Sequence, residues 1–285
     1  MDLTQREAHF EFGKNWLSFL DRVDDSRIED AIGAMQKRLF PNGELQGKHF
    51  LDIGCGSGLS MLAALNLGAA RVTGVDIDEY SVEATRQCLG RYAAKAAWDA
   101  RQASVFDLDP DKMGRFDVVH SWGVLHHTGD MWTAVDKAAA LVADDGLLAL
   151  ALYARTPFCG IWHAEKRFYS SMPMFIQNPM RWLWESFCIS YSLAGGNNPI
   201  AGIRNYRGRG MSWSHDQHDW LGGYPYESTG PAEVHAKMSA LGFTLIRENV
   251  QQYTKRNSIF GSGCNEYVYR RDKNEIFAHR GEIAT

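Results

Sequence analysis

The stretch Leu51-Asp52-Ile53-Gly54-Cys55-Gly56-Ser57-Gly58 limits most strongly what this chain can fold into. It stands between a short apolar run, His49 to Ile53, and an alanine- and leucine-rich run, Leu59 to Leu67. That order predicts a strand, a tight turn and a helix. Glycines at 54, 56 and 58 let the backbone come close to a bound group and leave the helix N-terminus open toward it. The turn therefore reads as a nucleotide-binding feature. Dinucleotide dehydrogenases carry GxGxxG at the equivalent place, whereas the spacing here is GxGxG with Asp52 ahead of it. A pyrophosphate would be repelled by that carboxylate; a cationic ammonium would be attracted.

The same alternation continues along the chain. Arg71 to Val75 reads as a strand and Ser81 to Tyr92 as a helix. Three more short strands follow at Ala103 to Phe106, Phe116 to Ser121 and Leu147 to Tyr153, the last two separated by a helix from Thr133 to Leu141. Repeated βα units with strands apolar on both faces predict a parallel sheet covered by helices. Two helices from Thr4 to Leu39 lead in. A helix from Pro231 to Leu241 and a closing hairpin, Phe243 to Val250 with Asn265 to Arg270, lead out. Between Phe158 and Tyr226 the chain is dense in aromatics and loses the βα rhythm, as an inserted helical cap would. The expected organisation is N-terminal helices or lid over 1–45, a Rossmann-like domain over 46–155 and 228–272, the cap over 156–227 and a tail over 273–285.

Composition narrows the function classes. Apolar residues make up 45% of the 285 residues and charged residues 22%, so a core can form without disulfides. The five cysteines are scattered and form no CxxC pair, which fits a reducing compartment. The N-terminal segment is charged throughout, and no apolar run reaches the roughly 20 residues that span a bilayer. A cytoplasmic location and no membrane partner are expected. A formal net charge of −4 argues against a nucleic-acid partner, and leaves monomer or homodimer open.

The second sharp signal is Gly74-Val75-Asp76-Ile77-Asp78, ending the second strand roughly twenty residues beyond the glycines. There Asp76 can accept hydrogen bonds from both hydroxyls of a ribose, with Ile77 against an adenine face. Together, DIGCGSG, GVDID, ASVFDL and FDVVHSWGVLHHTG resemble the motif series of class I S-adenosylmethionine-dependent methyltransferases. The likeness is strongest to the small-molecule branch that includes the ubiquinone-biosynthesis type, and it covers roughly Phe50 to Tyr153. It implies an α/β fold, a Rossmann-like seven-stranded mostly parallel sheet with an antiparallel last strand, carrying the aromatic-rich helical cap. It also implies S-adenosylmethionine as cofactor, cradled by Asp52, Gly54, Cys55, Gly56, Gly58, Asp76 and Ile77. By the same resemblance Ser104 and Val105 border the adenine, with Asp107 nearby. Ser121 and Trp122 stand beside the methionine portion, and Trp16 belongs to a lid.

Methyl transfer from a sulfonium is a direct displacement, so the protein chiefly aligns the reacting groups. A hydroxyl or protonated amine acceptor also needs a base, for which histidine suits neutral pH. His126 and His127 follow the fourth strand, and His215 and His218 lie in the cap with Asp neighbours. Each has a structural alternative, capping a helix or lying on a polar surface. The spacing matches no zinc pattern, so no metal is expected. Arg204 and Arg207, with Tyr206 between them, would suit an anionic acceptor. Tyr224, Glu227 and Gly263 to Glu266 are in reach of the same space. The expected function is methylation of a small polar acceptor, anionic if the arginines bind it, oxygen first and nitrogen second. An RNA or protein methyltransferase is the alternative, opposed by the acidic balance and by SWGV standing where an NPPY-type tetrad would be. The third reading is a non-catalytic cofactor-binding module.

Overall fold

The computed structural model describes residues 12–204, 206, 210–251 and 263–273. The chain enters through helices α1 (Phe12–Leu20) and α2 (Asp25–Arg38). It then alternates β1 (His49–Ile53), α3 (Leu59–Asn66), β2 (Arg71–Asp76), α4 (Glu79–Tyr92), β3 (Trp98–Gln102), α5 (Pro110–Met113), β4 (Phe116–Trp122), α6 (Met131–Ala140) and β5 (Val142–Tyr153). Helices α7 (Cys159–Ser171), α8 (Met174–Ala194), α9 (Pro199–Arg204) and α10 (Trp213–Gly222) come next. Helix α11 (Pro231–Ala240) and strands β6 (Phe243–Asn249) and β7 (Cys264–Arg271) close the chain. Helix starts are fixed by aspartates that accept an orphan backbone N–H: Asp24 for α2, Asp78 for α4 and Asp130 for α6.

The seven strands form one sheet in the order β3-β2-β1-β4-β5-β7-β6. The first five run parallel, and β7 is antiparallel to both its neighbours. Alternation along the strands splits the core in two. Phe50, Val72, Val118 and Ala149 face one side with α2 and α3, while Leu51, Val75, Val119 and Leu148 face the other with α6 and α11. Because β1, β2 and β4 end at the same edge, Gly54, Asp76 and Trp122 are brought to one rim, where ligands sit in such sheets.

One strand differs from the expectation. Ala103 to Phe106 is not a strand; β3 is Trp98-Asp99-Ala100-Arg101-Gln102, and Val105–Asp107 is a single 3-10 turn capped by Ser104. As the edge of the sheet, β3 buries only Ala100 and carries an Asp99–Arg101 ion pair, so it lacks the apolar run that marks its neighbours. Part of the expected first helix, Thr4 to Glu11, lies outside the described residues.

Candidate active site

Gly54 starts the turn after β1 at φ +79, and a Cβ there would fall 2.2 Å from a methyl of Val124. Only glycine fits both constraints. At Gly56 (φ +52) a Cβ would come within 3.2 Å of the Trp16 indole, so α1 lays its tryptophan directly on the turn. The Gly56 N–H donates to one oxygen of Asp76 at 3.1 Å, and the Asp78 N–H donates to the other at 3.0 Å. Burial raises the Asp76 carboxyl to about 6 against the pull of those two bonds. Each carboxylate oxygen has a second lone pair, so Asp76 can still accept two donors from the cavity it lines. The Asp78 carboxylate accepts the Gly13 N–H at 2.9 Å, which pins the start of α1 to the rim of β2.

Two cavities meet at Trp16, Gly54 and Trp122. The smaller, about 100 Å³, lies over the start of α3 and is bordered by Asp52, Cys55, Ser57, Ser60 and His120. Burial holds the Cys55 thiol well above its ordinary value, so it stays protonated. The larger, about 510 Å³, is of ligand size. It runs from Asp76, Ile77 and Asp78 past Gly123 and Val124 to His127, Tyr153 and the α10 side chains Asp216, Gln217, Asp219 and Trp220. Gly263, just before β7, and Cys264 and Glu266 at its start border it too, while Asn265 does not. Ser104, Val105 and Ser121 line neither cavity. The Ser104 hydroxyl caps the 3-10 turn, Val105 packs into the core under α6, and Ser121 donates to the Ile53 carbonyl at 3.0 Å.

The four candidate histidines separate by environment. His126 is fully buried against the Tyr153 ring, its Nδ1 accepts the Tyr153 N–H at 3.4 Å, and burial drives its pKa well down. It is a neutral core histidine, out of reach of an acceptor. His127 lines the large cavity, and its Nδ1–H donates to the Pro225 carbonyl at 2.7 Å, which leaves the ring lone pair on Nε2. On α10 the sequence reading took the wrong face of the helix. Asp216, Asp219 and Trp220, spaced i, i+3, i+4, face the cavity, whereas His215 and His218 face α1 and α7. His215 bridges Ser212 at 2.6 Å and Ser18 at 3.0 Å, and His218 meets the Tyr169 hydroxyl at 3.0 Å. Burial lowers both to about 4, so they fasten helices as neutral rings.

The expected anion site is altered in its described part. Arg204 is exposed at the end of α9, Tyr224 packs on His163, and Arg207 lies outside the described residues. Of the described residues in that group, Tyr206 reaches the cavity, where its hydroxyl donates to Asp216. The described lining holds Asp76, Asp78, Asp216, Asp219 and Glu266 against one arginine, Arg38, which is itself paired with Glu266 and lies over Trp122. Glu227 instead accepts the Met131 N–H at the start of α6.

Residues 51–148 match the family described as a methyltransferase domain. Over this stretch, which holds the glycine turn and strands β1 to β4, the chain is similar to methyltransferase domains. A ubiquinone biosynthesis O-methyltransferase from Bordetella bronchiseptica is 32% identical over 115 residues, 40% of this chain and 46% of that protein. A ribosomal protein L11 methyltransferase from Xanthomonas oryzae is 36% identical over 125 residues, 44% of this chain and 35% of that one. The chain thus spans about half the length, or less, of these curated relatives. Among solved structures, magnesium protoporphyrin IX methyltransferase from Synechocystis, with bound SAH, superposes with a TM-score of 0.52. The match covers 87% of this chain and 84% of that one at 16% identity, which speaks for the fold alone.

One residue of the matched stretch escaped the sequence reading. His120 is the register partner of Asp52 across β1 and β4, and its Nδ1–H donates to the Asp52 carboxylate at 2.7 Å, both side chains being buried. The signal was available, because His120 stands two residues before Trp122 on the same strand and therefore on the same face of the sheet. His120→Leu keeps the volume but strands a buried carboxylate. A loss of about 2–3 kcal/mol in stability is expected from denaturant unfolding, and a variant as stable as the parent would show that the pair contributes nothing.

Proposed function

We propose that this chain binds S-adenosylmethionine across the glycine turn and methylates a small hydroxyl- or amine-bearing acceptor held between the sheet rim and α10. One observation carries the reading: on a methyltransferase domain, a single cavity joins Asp76 and Ile77 at one end to His127, Tyr153 and Trp220 at the other. The cradle fits the cofactor, since Gly54 leaves no room for a Cβ, Gly56 holds a left-handed φ under Trp16, and Asp76 keeps acceptor capacity toward the cavity. When bound, the cofactor supplies an electrophilic methyl group on a sulfonium. The chain's own residues do the rest. Asp76 accepts the ribose hydroxyls and Ile77 lies against the base. His127 takes the acceptor's proton on Nε2 while the Pro225 carbonyl holds its tautomer. Burial keeps the Tyr153 phenol protonated, so it orients the acceptor as a donor.

The acid-rich wall supports a neutral or cationic acceptor over the anionic one expected from the arginines. Oxygen is the first target, in line with the O-methyltransferase relatives. The protein-methylating relative and the same acidic wall favour a basic amine as the second reading. Calorimetry with S-adenosylmethionine, S-adenosylhomocysteine and NAD tests the cofactor assignment: the first two are expected to bind and NAD not. Binding of NAD alone would sink it.

A further inference from the structure

Beside the small cavity over the start of α3 stands a buried titratable ring that takes no part in the proton transfer assigned to His127. His120 is 2% exposed, and its Nδ1–H is committed to Asp52. Its other nitrogen, Nε2, meets no hydrogen-bond partner in the protein. Leaving a buried polar atom unpartnered is costly, and such an atom on a residue that borders a cavity calls for a partner entering from outside.

The lining says what that partner is. At about 100 Å³ the cavity lies well below the roughly 300 Å³ at which pockets for whole small molecules begin, so it takes a small group rather than a ring system. It meets the large cavity at Trp16, Gly54 and Trp122, so one ligand can occupy both. Among the described residues no lysine or arginine borders it; the charge it offers is the Asp52 carboxylate, since burial keeps the Cys55 thiol protonated. With Nδ1–H given to Asp52, the neutral ring holds its lone pair on Nε2. A lone pair and a carboxylate side by side select an N–H donor that carries positive charge. Toward α3 the chemistry reverses. Gly58 stands at the N-cap of that helix with no side chain to cap it, so its first N–H groups, with the Ser57 and Ser60 hydroxyls, offer donors to an anion. Acceptors on one wall and donors on the other fit a zwitterion, such as the amino-acid head of S-adenosylmethionine. On the reading that this compound is the cofactor, we propose that His120 is a specificity-determining residue of its site: oriented by Asp52, Nε2 accepts a hydrogen bond from the ammonium of that head. Asp52 then acts twice, as a charge toward the ammonium and as the group that fixes which ring nitrogen carries the proton.

The test is calorimetry on the full chain with S-adenosylhomocysteine and with its analogue carrying hydrogen in place of the α-amino group. The parent is expected to bind the deaminated analogue about tenfold more weakly, or weaker still. His120→Asn keeps a donor for Asp52 at the place of Nδ1 and removes Nε2. It is expected to weaken S-adenosylhomocysteine by about tenfold and to leave the Kd of the analogue within about twofold, with denaturant unfolding close to that of the parent. His120→Gln carries an amide oxygen at the place of Nε2 and gives up the bond to Asp52; it is expected to be the less stable variant and to retain the preference for the amino group. Equal loss for both ligands in His120→Asn, or loss for neither, overturns the proposal, because the ring would then act through the fold alone or not at all. So does a parent that binds both ligands equally, a result that needs no variant and leaves the cofactor reading standing. Binding of neither ligand by the parent would remove the cofactor reading itself and the role of His120 with it.

Discussion

Asp76→Ala is expected to raise the Kd for S-adenosylmethionine by on the order of a thousandfold, measured by calorimetry. Two hydrogen bonds from ribose hydroxyls to a carboxylate contribute about 1.5–3 kcal/mol each, and every 1.4 kcal/mol or so is a factor of ten. Asp76→Asn keeps acceptor oxygen without charge and is expected to fall between. The carboxyl titrates near 6 in the unliganded fold because burial opposes its ionisation. The ionised form is the one that accepts two donors, so affinity falls as pH drops through about 6, a dependence Asp76→Asn lacks. Fold stability moves the other way. A carboxyl raised in the folded state favours the protonated protein, so that contribution is lost as pH climbs from about 4 toward 6. An affinity flat between pH 5 and 7 in the parent, or an Asp76→Ala variant that binds normally, would remove Asp76 from the cofactor site.

His127→Ala is expected to lower kcat by a factor of about 10²–10⁴, the usual worth of a placed base, with cofactor Kd changed by less than about twofold. The reason is positional: among the four candidate histidines only His127 borders the large cavity, and its Nδ1–H is committed to the Pro225 carbonyl. His126 and His215 are buried and His218 half-buried, all neutral rings, so substitutions there are expected to lower melting temperature and to leave kcat per folded molecule near the parent value. Normal turnover by His127→Ala would end the assignment of the base.

Much of the frame was legible because its signals are local. The glycine turn, Asp76 at the end of β2 and the apolar strands β1, β2, β4 and β5 each announce themselves within a few residues. Strand β3 did not, since an edge strand with one neighbour can be made of Trp, Asp, Ala, Arg and Gln. In the cap, composition gave helices but not their orientation. On α10 the residues with conspicuous chemistry, His215 and His218, turned out to clamp neighbouring helices, and the aspartates between them face the cavity. Which stripe of a helix points inward depends on what it packs against, and α10 packs against α1 and α7, both far away in sequence. Arg204 misled for a related reason: it stands exposed at the end of α9, while Tyr206, two residues further on, reaches the cavity.

Helix α1 touches both ends of the large cavity. Its Gly13 N–H is held by Asp78 beside the nucleoside end, its Asn15 amide by Asp219 at the far end, and its Trp16 lies between. Under the proposed reaction, a ligand that shifted this short rod at one end would alter the hold at the other, a coupling added to the direct contact between cofactor and acceptor. Thermodynamics then fixes the bargain as reciprocal: by whatever factor the nucleoside tightens the acceptor, the acceptor tightens the nucleoside.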